Sequence, residues 1–450
     1  MRLVTRVIAS VRQATRPGFA RSAGILASGT VLAYALGVLT VPIVSRLYHP
    51  QDFGEFALIT SVAAVVAALT SLGMQSAIVQ AATDEDSQRI LAVGLAAAAA
   101  LATLIVGVGF ALSRVTRLLD SSLPYAVAYP LVWLLGILMC ANGYLSSYAN
   151  RRGANRVLFT NSLIGAGATL LITLPLGFLG TGAAGLIAGS VGALVVGNVQ
   201  MVLRLRPFHR RPSVANARKV FRENRDFLAF QYPANLVETV SAQAPRQLLS
   251  LMFGTTAVGL YAMTDKMLGI PLRLVGAPVG TVYYREASQR YAAGKELNSF
   301  TIRLIATIMA VAYLPIVVVV LWGGPLFGWL LGMEWAQSGA IASILIVQYL
   351  FMLTRTCDGN VRVVVGLQSV NLAMSAVRLV VEVGALVGGG LVTGDVFDTL
   401  VCYSVASTLF YIIDMTVTFR AIGRSHWRYL TGALVYFASI ACLWIVRYAL

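Results

Sequence analysis

Apolar runs recur along the whole 450-residue chain, each of about 18 to 28 residues and therefore long enough to cross a hydrocarbon core of about 30 Å as a helix. So many uninterrupted runs cannot share one water-facing core, and the chain is expected to fold in lipid. Its balance agrees: 58% of residues are hydrophobic and only 12% charged, with a mean hydropathy of +0.78. Strand-type alternation is absent from the runs, which excludes a membrane barrel. Thirteen spans are expected, near 22–45, 54–80, 90–112, 124–149, 157–177, 181–203, 227–253, 256–282, 299–322, 337–365, 369–391, 396–419 and 429–447. The first run has no small-residue cleavage site after a short apolar region, so it reads as a retained helix and not a signal peptide.

Basic residues set the orientation. With the N-terminus inside, the cytoplasmic side receives Arg2, Arg6, Arg12, Arg16 and Arg21, the "NRRGANR" turn, and the arginine-rich segment 204–226; the opposite side receives only Arg46, Arg114, Arg117 and Arg447. That asymmetry is the positive-inside rule, so the net charge of +16 reports topology and gives no support to nucleic-acid binding. In "MRLVTRVIASVRQATR" the four arginines share about a third of a helical circumference and Leu3, Val4, Val7, Ile8 and Val11 take the other side. This segment, 1–21, reads either as an amphipathic helix on the anionic inner leaflet or as a basic tail.

The chain repeats itself. "SRLYHPQDFGEFAL" at 45–58 and "SLMFGTTAVGLYAM" at 250–263 align at a fixed offset of 205 residues, Gly54 meeting Gly259 and Phe56 meeting Tyr261. Six spans separate the copies, an even number, so the repeat is parallel. The expected fold class is an all-α polytopic membrane protein of two parallel six-helix repeats. Its parts are an N-terminal segment 1–21, an N-lobe 22–203, a basic linker 204–226, a C-lobe 227–419 and an extra C-terminal helix 420–450. Parallel halves about a midplane cavity suit an alternating-access transporter, and the repeated turns are expected to be external hairpins at the rim that opens.

These two blocks also carry a resemblance. "SRLYHPQDFGEFALITSVAAVVAALTSLGMQSAIVQA" resembles the first-to-second helix region of Wzx-type bacterial polysaccharide flippases, and "LLSLMFGTTAVGLYAMTDKMLGIPLRLVGAPVGTVYYREASQRY" is similar to their seventh-to-eighth helix region. The likeness covers roughly residues 20 to 420 and points to the multidrug, oligosaccharidyl-lipid and polysaccharide exporter superfamily, with its V-shaped fold. It implies a bacterial inner-membrane carrier, not an enzyme, that moves an undecaprenyl-diphosphate-linked oligosaccharide from the cytoplasmic to the periplasmic leaflet for surface polysaccharide such as lipopolysaccharide or exopolysaccharide. Implied partners are that lipid-linked oligosaccharide, membrane lipids, a polysaccharide polymerase and a coupling H+ or Na+; no cofactor, metal or nucleic acid is expected. A drug or metabolite exporter of the same superfamily is the alternative.

Such a substrate needs fixed cations along its path, and charges inside spans are functional candidates by default. Here they crowd the second half: Arg246, Lys266, Arg273, Arg355, Arg362 and Arg378, with Glu238, Asp265, Asp358, Glu382 and Asp414 as in-span acids. Lys266 and Arg273 are two turns apart on one face, Arg355, Asp358 and Arg362 share another, and Arg378 and Glu382 form an i, i+4 pair. Arg246, Lys266, Arg273, Arg355 and Arg378 are therefore expected to bind the diphosphate by charge-assisted hydrogen bonds. Asp265, Asp358 and Glu382 are the candidate ion-coupling residues. The competing reading is interhelical or intrahelical salt bridges, strongest for Asp358 with Arg362 and Arg378 with Glu382. Arg246, Lys266 and Arg273 have no acid three or four residues away, Asp265 is taken to point elsewhere, and Arg362 and Arg303 are expected to snorkel to the cytoplasmic surface.

Other motifs dissolve. "GTGAAG" at 180–185 joins two spans without a preceding strand and reads as a tight turn. "TDEDS" at 83–87 sits in a loop too short for a nucleotide domain and reads as a polar turn. Cys140, Cys357, Cys402 and Cys442 lie in spans, and His49, His209 and His426 stand apart, so neither metal site nor nucleophile–base pair can be assembled. The longest external connections, 113–123 and 323–336, are too short for a polymerase or glycosyltransferase loop. Pro42, Pro233, Pro245, Pro271 and Pro278 are expected to bend or break helices one, seven and eight.

Overall fold

The computed structural model describes residues 37, 39–112, 124–207, 214–225, 228–229, 232–294, 296–365, 368–422 and 426–449. The N-terminal segment 1–21, most of the first span and the connection 113–123 lie outside the described residues. A helix ending at 39–47 (α1) is followed by α2 (Pro50–Ser71), α3 (Met74–Gln80), α4 (Asp84–Leu112), α5 (Tyr125–Arg151), α6 (Asn155–Phe178), α7 (Ala183–Leu205) and α8 (Val214–Glu223). Then come α9 (Tyr232–Pro271), a π turn (Leu272–Gly276), α10 (Ala277–Ala292), α11 (Asn298–Leu331), a 3-10 turn (Met333–Trp335), α12 (Ala336–Val365), α13 (Gln368–Thr393), α14 (Val396–Ile422) and α15 (His426–Ala449). No strand occurs among the described residues, and ten helical segments there are long and apolar enough to cross a membrane. The chain forms two compact units, Met1–Tyr48 with Leu58–Thr239, and His49–Ala57 with Val240–Leu450.

In the first unit the run expected as one span at 54–80 is broken at Leu72 and Gly73, both with positive φ. The break frees carbonyls that a continuous helix would satisfy, and the Tyr144 hydroxyl donates to Ser71 O at 2.7 Å. Around this joint Met74, Ile78, Leu91, Tyr148 and Met201 form a buried core that also receives Val220 of α8. The "TDEDS" stretch is the start of α4: Thr83 Oγ1 accepts the Asp86 N–H and donates to the Asp86 carboxylate, a reciprocal cap.

In the second unit the expected hairpin between the seventh and eighth spans falls at Gly254, whose φ of 81° and ψ of 178° interrupt α9. Glycine takes that conformation without a Cβ penalty. The break lies 205 residues after His49, the residue at the gap between α1 and α2. The repeat is also visible as packing within this unit. A Cβ on Gly54 would run into the Thr255 carbonyl, and one on Gly259 into the Pro50 carbonyl, reciprocal contacts between equivalent positions that only hydrogen side chains allow. Beyond Pro271 the helix relaxes into the π turn, as expected where prolines remove ladder hydrogen bonds. The expected external loop at 323–336 shrinks to a short turn, because α11 continues to Leu331. Helix α12 is the axis of this unit and packs against α10, α11 and α14, while α15 packs on α11 and α14.

Candidate functional site

The two arms of α9 fold back at Gly254 and bring together residues that sequence separates. Arg246 Nη2 donates to Asp265 Oδ2 at 2.6 Å, across 19 residues, and Arg246 Nη1 donates to Gln243 Oε1 at 2.6 Å. The second carboxylate oxygen, Asp265 Oδ1, accepts the Tyr349 hydroxyl of α12. Helix α9 is fixed to α12 one residue earlier, where Thr264 Oγ1 donates to Ser338 O at 2.8 Å. Arg246 therefore has an acidic partner, against the sequence expectation, and Asp265 points at it; the partner arrives through a hairpin and not along one helix.

Deeper in the unit, Tyr403 of α14 faces Tyr261 and Gln348 and lies near Glu382. Glu382 Oε1 accepts the Tyr411 hydroxyl at 3.3 Å and lies 3.6 Å from Arg378 Nε. A run of buried tyrosines thus lies between two of the expected coupling carboxylates, Asp265 and Glu382. Sequence reasoning missed Tyr261, Tyr349, Tyr403 and Gln348; the available signal was a glutamine and a tyrosine, "QY", inside the apolar run "ILIVQYLFML".

A second cluster is buried at its centre, with Arg355 at its partly exposed edge. Arg362, 1% exposed, donates from Nη2 to Asp414 Oδ1 at 2.6 Å and from Nε to Thr418 Oγ1 at 2.8 Å. Arg355 Nε lies 3.6 Å from Asp414 Oδ2, so one carboxylate serves two guanidinium groups. The expectation that Arg362 snorkels is corrected: Asp414 of α14 compensates it inside the bundle. Lys266 is exposed, its Nζ 5.7 Å from the centroid of Phe53, which in turn meets Trp335 edge-on at 5.1 Å. Arg273 and Asp358 lie on the π turn and on α12, with their side chains outside the described residues.

At the start of α2, His49 Nδ1 is 2.7 Å from Glu334 Oε2, and the His49 N–H donates to Asp52 Oδ2 at 2.9 Å. The hydrogen bond to Glu334, and then its charge, raise the His49 pKa. The pair lines a cavity of about 390 Å³ with Gln51, Thr256, Met333 and Gln337. Sequence analysis had set His49 aside as solitary, since its partner comes from a turn 285 residues away.

Comparisons with known proteins follow the same line. The family described as "Polysaccharide biosynthesis protein" matches residues 43–340, about two-thirds of the chain. No curated protein matches by sequence. Among solved structures, the lipid II flippase MurJ in an inward closed conformation aligns with a TM-score of 0.69 at 11% identity, over 94% of this chain and 98% of that one. An inward-facing multidrug resistance MATE family transporter of the MOP superfamily aligns with a TM-score of 0.63 at 14% identity, over 93% and 95%. A MOP superfamily transporter from Pyrococcus furiosus aligns with a TM-score of 0.54 at 13% identity, over 89% and 95%. At these identities the likeness establishes the fold, an all-helical one shared with the MOP superfamily.

Proposed function

Since the chain belongs to the polysaccharide biosynthesis protein family, we propose that it is a flippase, carrying a prenyl-diphosphate-linked oligosaccharide, undecaprenyl in bacteria, from the cytoplasmic to the periplasmic leaflet by alternating access. What supports this reading is the family match together with the cations carried by the second unit, of which Arg355 and Arg378 lie on helices long and apolar enough to cross a membrane. A diphosphate crossing hydrocarbon needs fixed positive groups, and in-span guanidinium or ammonium groups are expensive without such a task. In this reading Arg246, Lys266, Arg273, Arg355 and Arg378 line the anion's path, and Asp265, Asp358 and Glu382 take part in coupling to H+ or Na+. A periplasmic polymerase is the partner that would receive the product. The chain acts as a carrier and not an enzyme.

Folds shared with both a lipid flippase and a drug exporter do not separate those two functions, and the family match favours the former. Deletion of the gene distinguishes them. Loss of surface polymer with the lipid-linked oligosaccharide assembled and held on the cytoplasmic face is the expected result. Failure to assemble the repeat unit would point to an enzyme, and intact surface polymer with altered drug sensitivity to an exporter.

A further inference from the structure

The Arg246–Asp265 pair differs from the Arg362–Asp414 pair in one respect that matters. Both have N–O distances of 2.6 Å, but the Arg362–Asp414 side chains are each 1% exposed, whereas Arg246 and Asp265 are 21% and 25% exposed. The first pair can be reached from outside the bundle and the second cannot. Arg246 also keeps a donor in reserve, since its Nε is buried with no hydrogen-bond partner among the described residues. A phosphate that displaced Asp265 would gain Nη2 and Nε together, the forked geometry guanidinium groups offer to oxyanions.

We propose that Asp265 is an internal stand-in for the substrate's phosphate, holding Arg246 until the diphosphate exchanges for it. The inference rests on the flippase reading above. Exchange leaves a mostly buried carboxylate without its countercharge, a costly state unless it is neutralised. Among the described residues the groups facing it are Arg246 from the other arm of α9, Tyr349 from α12 and Tyr261 one turn earlier, while the neighbouring Lys266 lies over Phe53. With Arg246 taken by phosphate, one proton from solution binds Asp265, held against the Tyr349 hydroxyl, and returns to solution when the phosphate leaves. Anion binding and proton binding are thereby one event, linked through the carboxylate that occupies the binding residue.

The test uses the full chain in lipid nanodiscs and a farnesyl-diphosphate-linked N-acetylglucosamine, whose two phosphates are both diesters and exchange no proton near neutral pH. Titration calorimetry in buffers of different ionisation enthalpy should count about one proton taken up per ligand, with affinity rising up to about tenfold per pH unit on acidification. Asp265→Asn should bind about tenfold more tightly at pH 8 and take up no proton, and Arg246→Gln should bind at least about tenfold more weakly. Binding by the native chain without proton uptake overturns the exchange, whatever the yield of the variants, and leaves the flippase reading standing. Weaker binding by Asp265→Asn, or binding unchanged in Arg246→Gln, overturns it equally. Absence of any binding of the prenyl-diphosphate sugar to the native chain removes both readings.

Discussion

The two units solve the problem of polar groups in hydrocarbon differently. Among the described residues every buried charged side chain, Glu55, Arg362, Arg378, Glu382 and Asp414, belongs to the second unit. The first unit uses neutral amides: Asn142 Nδ2 donates to Asn198 Oδ1 at 3.0 Å, Asn198 Nδ2 to Leu138 O at 2.9 Å, and Gln200 Nε2 to Thr160 Oγ1 at 2.8 Å. Amide ladders join helices at little desolvation cost, which is enough for a scaffold. Buried ion pairs are far more expensive, so among the described residues the costly polar chemistry is concentrated in the second unit.

The largest effect should come from breaking the buried cluster. Asp414→Asn removes the carboxylate that serves both Arg362 and Arg355, and removing one partner of a buried pair typically costs about 3–5 kcal/mol. The variant should be lost from the membrane, as measured by immunoblot of membrane fractions, and replacing Arg362 as well with methionine should recover part of it. Arg362→Gln should be milder, since Asp414 keeps Arg355. Equal membrane levels for native chain and Asp414→Asn would show that the cluster is not structural.

Lys266→Gln separates binding from scaffold. Its ammonium is exposed and lies over Phe53, a contact worth about 0.5–1 kcal/mol, so protein level should fall less than in Asp414→Asn. Transport, followed as surface polymer, should fall at least about tenfold because a charge-assisted attraction to a diphosphate is removed. A variant that melts much earlier and transports in proportion to its level would place Lys266 in the scaffold.

Residues that the sequence made legible are those whose information is local. The run expected at 181–203 became Ala183–Leu205 and that at 369–391 became Gln368–Thr393, because run length alone sets a span. The hairpin at Gly254 was readable from its repeat partner. What escaped was either a backbone decision inside an apolar run, as at Leu72 and Gly73, or a contact between distant segments. Spacings of three and four residues report only a helix's own face, so they linked Asp358 to Arg362 and could not reveal that Asp414 serves Arg362, or Asp265 Arg246.

A smaller effect is expected in the first unit. Asn198→Leu removes both hydrogen bonds of the amide ladder, and interhelical bonds of this kind average about 0.6 kcal/mol in membranes, with model peptides giving about 1–2. Thermal unfolding of the purified chain should shift slightly, with transport retained. A loss as large as that of Asp414→Asn would erase the contrast between the units.

The smallest effect lies outside the spans, where the second unit places an ion pair in contact with water. His49 and Glu334 side chains are 73% and 58% exposed, so screening limits the pair to under about 1 kcal/mol. Its sign is fixed by the direction of the shift. The folded state raises the His49 pKa, chiefly through the Glu334 hydrogen bond, so the folded chain holds the proton more tightly than the unfolded one. The stabilisation is then complete below the ordinary histidine value of about 6.5 and fades as pH rises through the raised value. Melting curves recorded from pH 5.5 to 9 should show the native chain gaining on His49→Gln at the acidic end and converging with it at the alkaline end. Glu334→Gln should follow the histidine variant, since either change removes the same pair, whereas Asp52, which also faces His49, should shift the curve less. Parallel curves for the native chain and His49→Gln across that range would mean that the pair contributes nothing to holding the α1–α2 turn against the turn before α12.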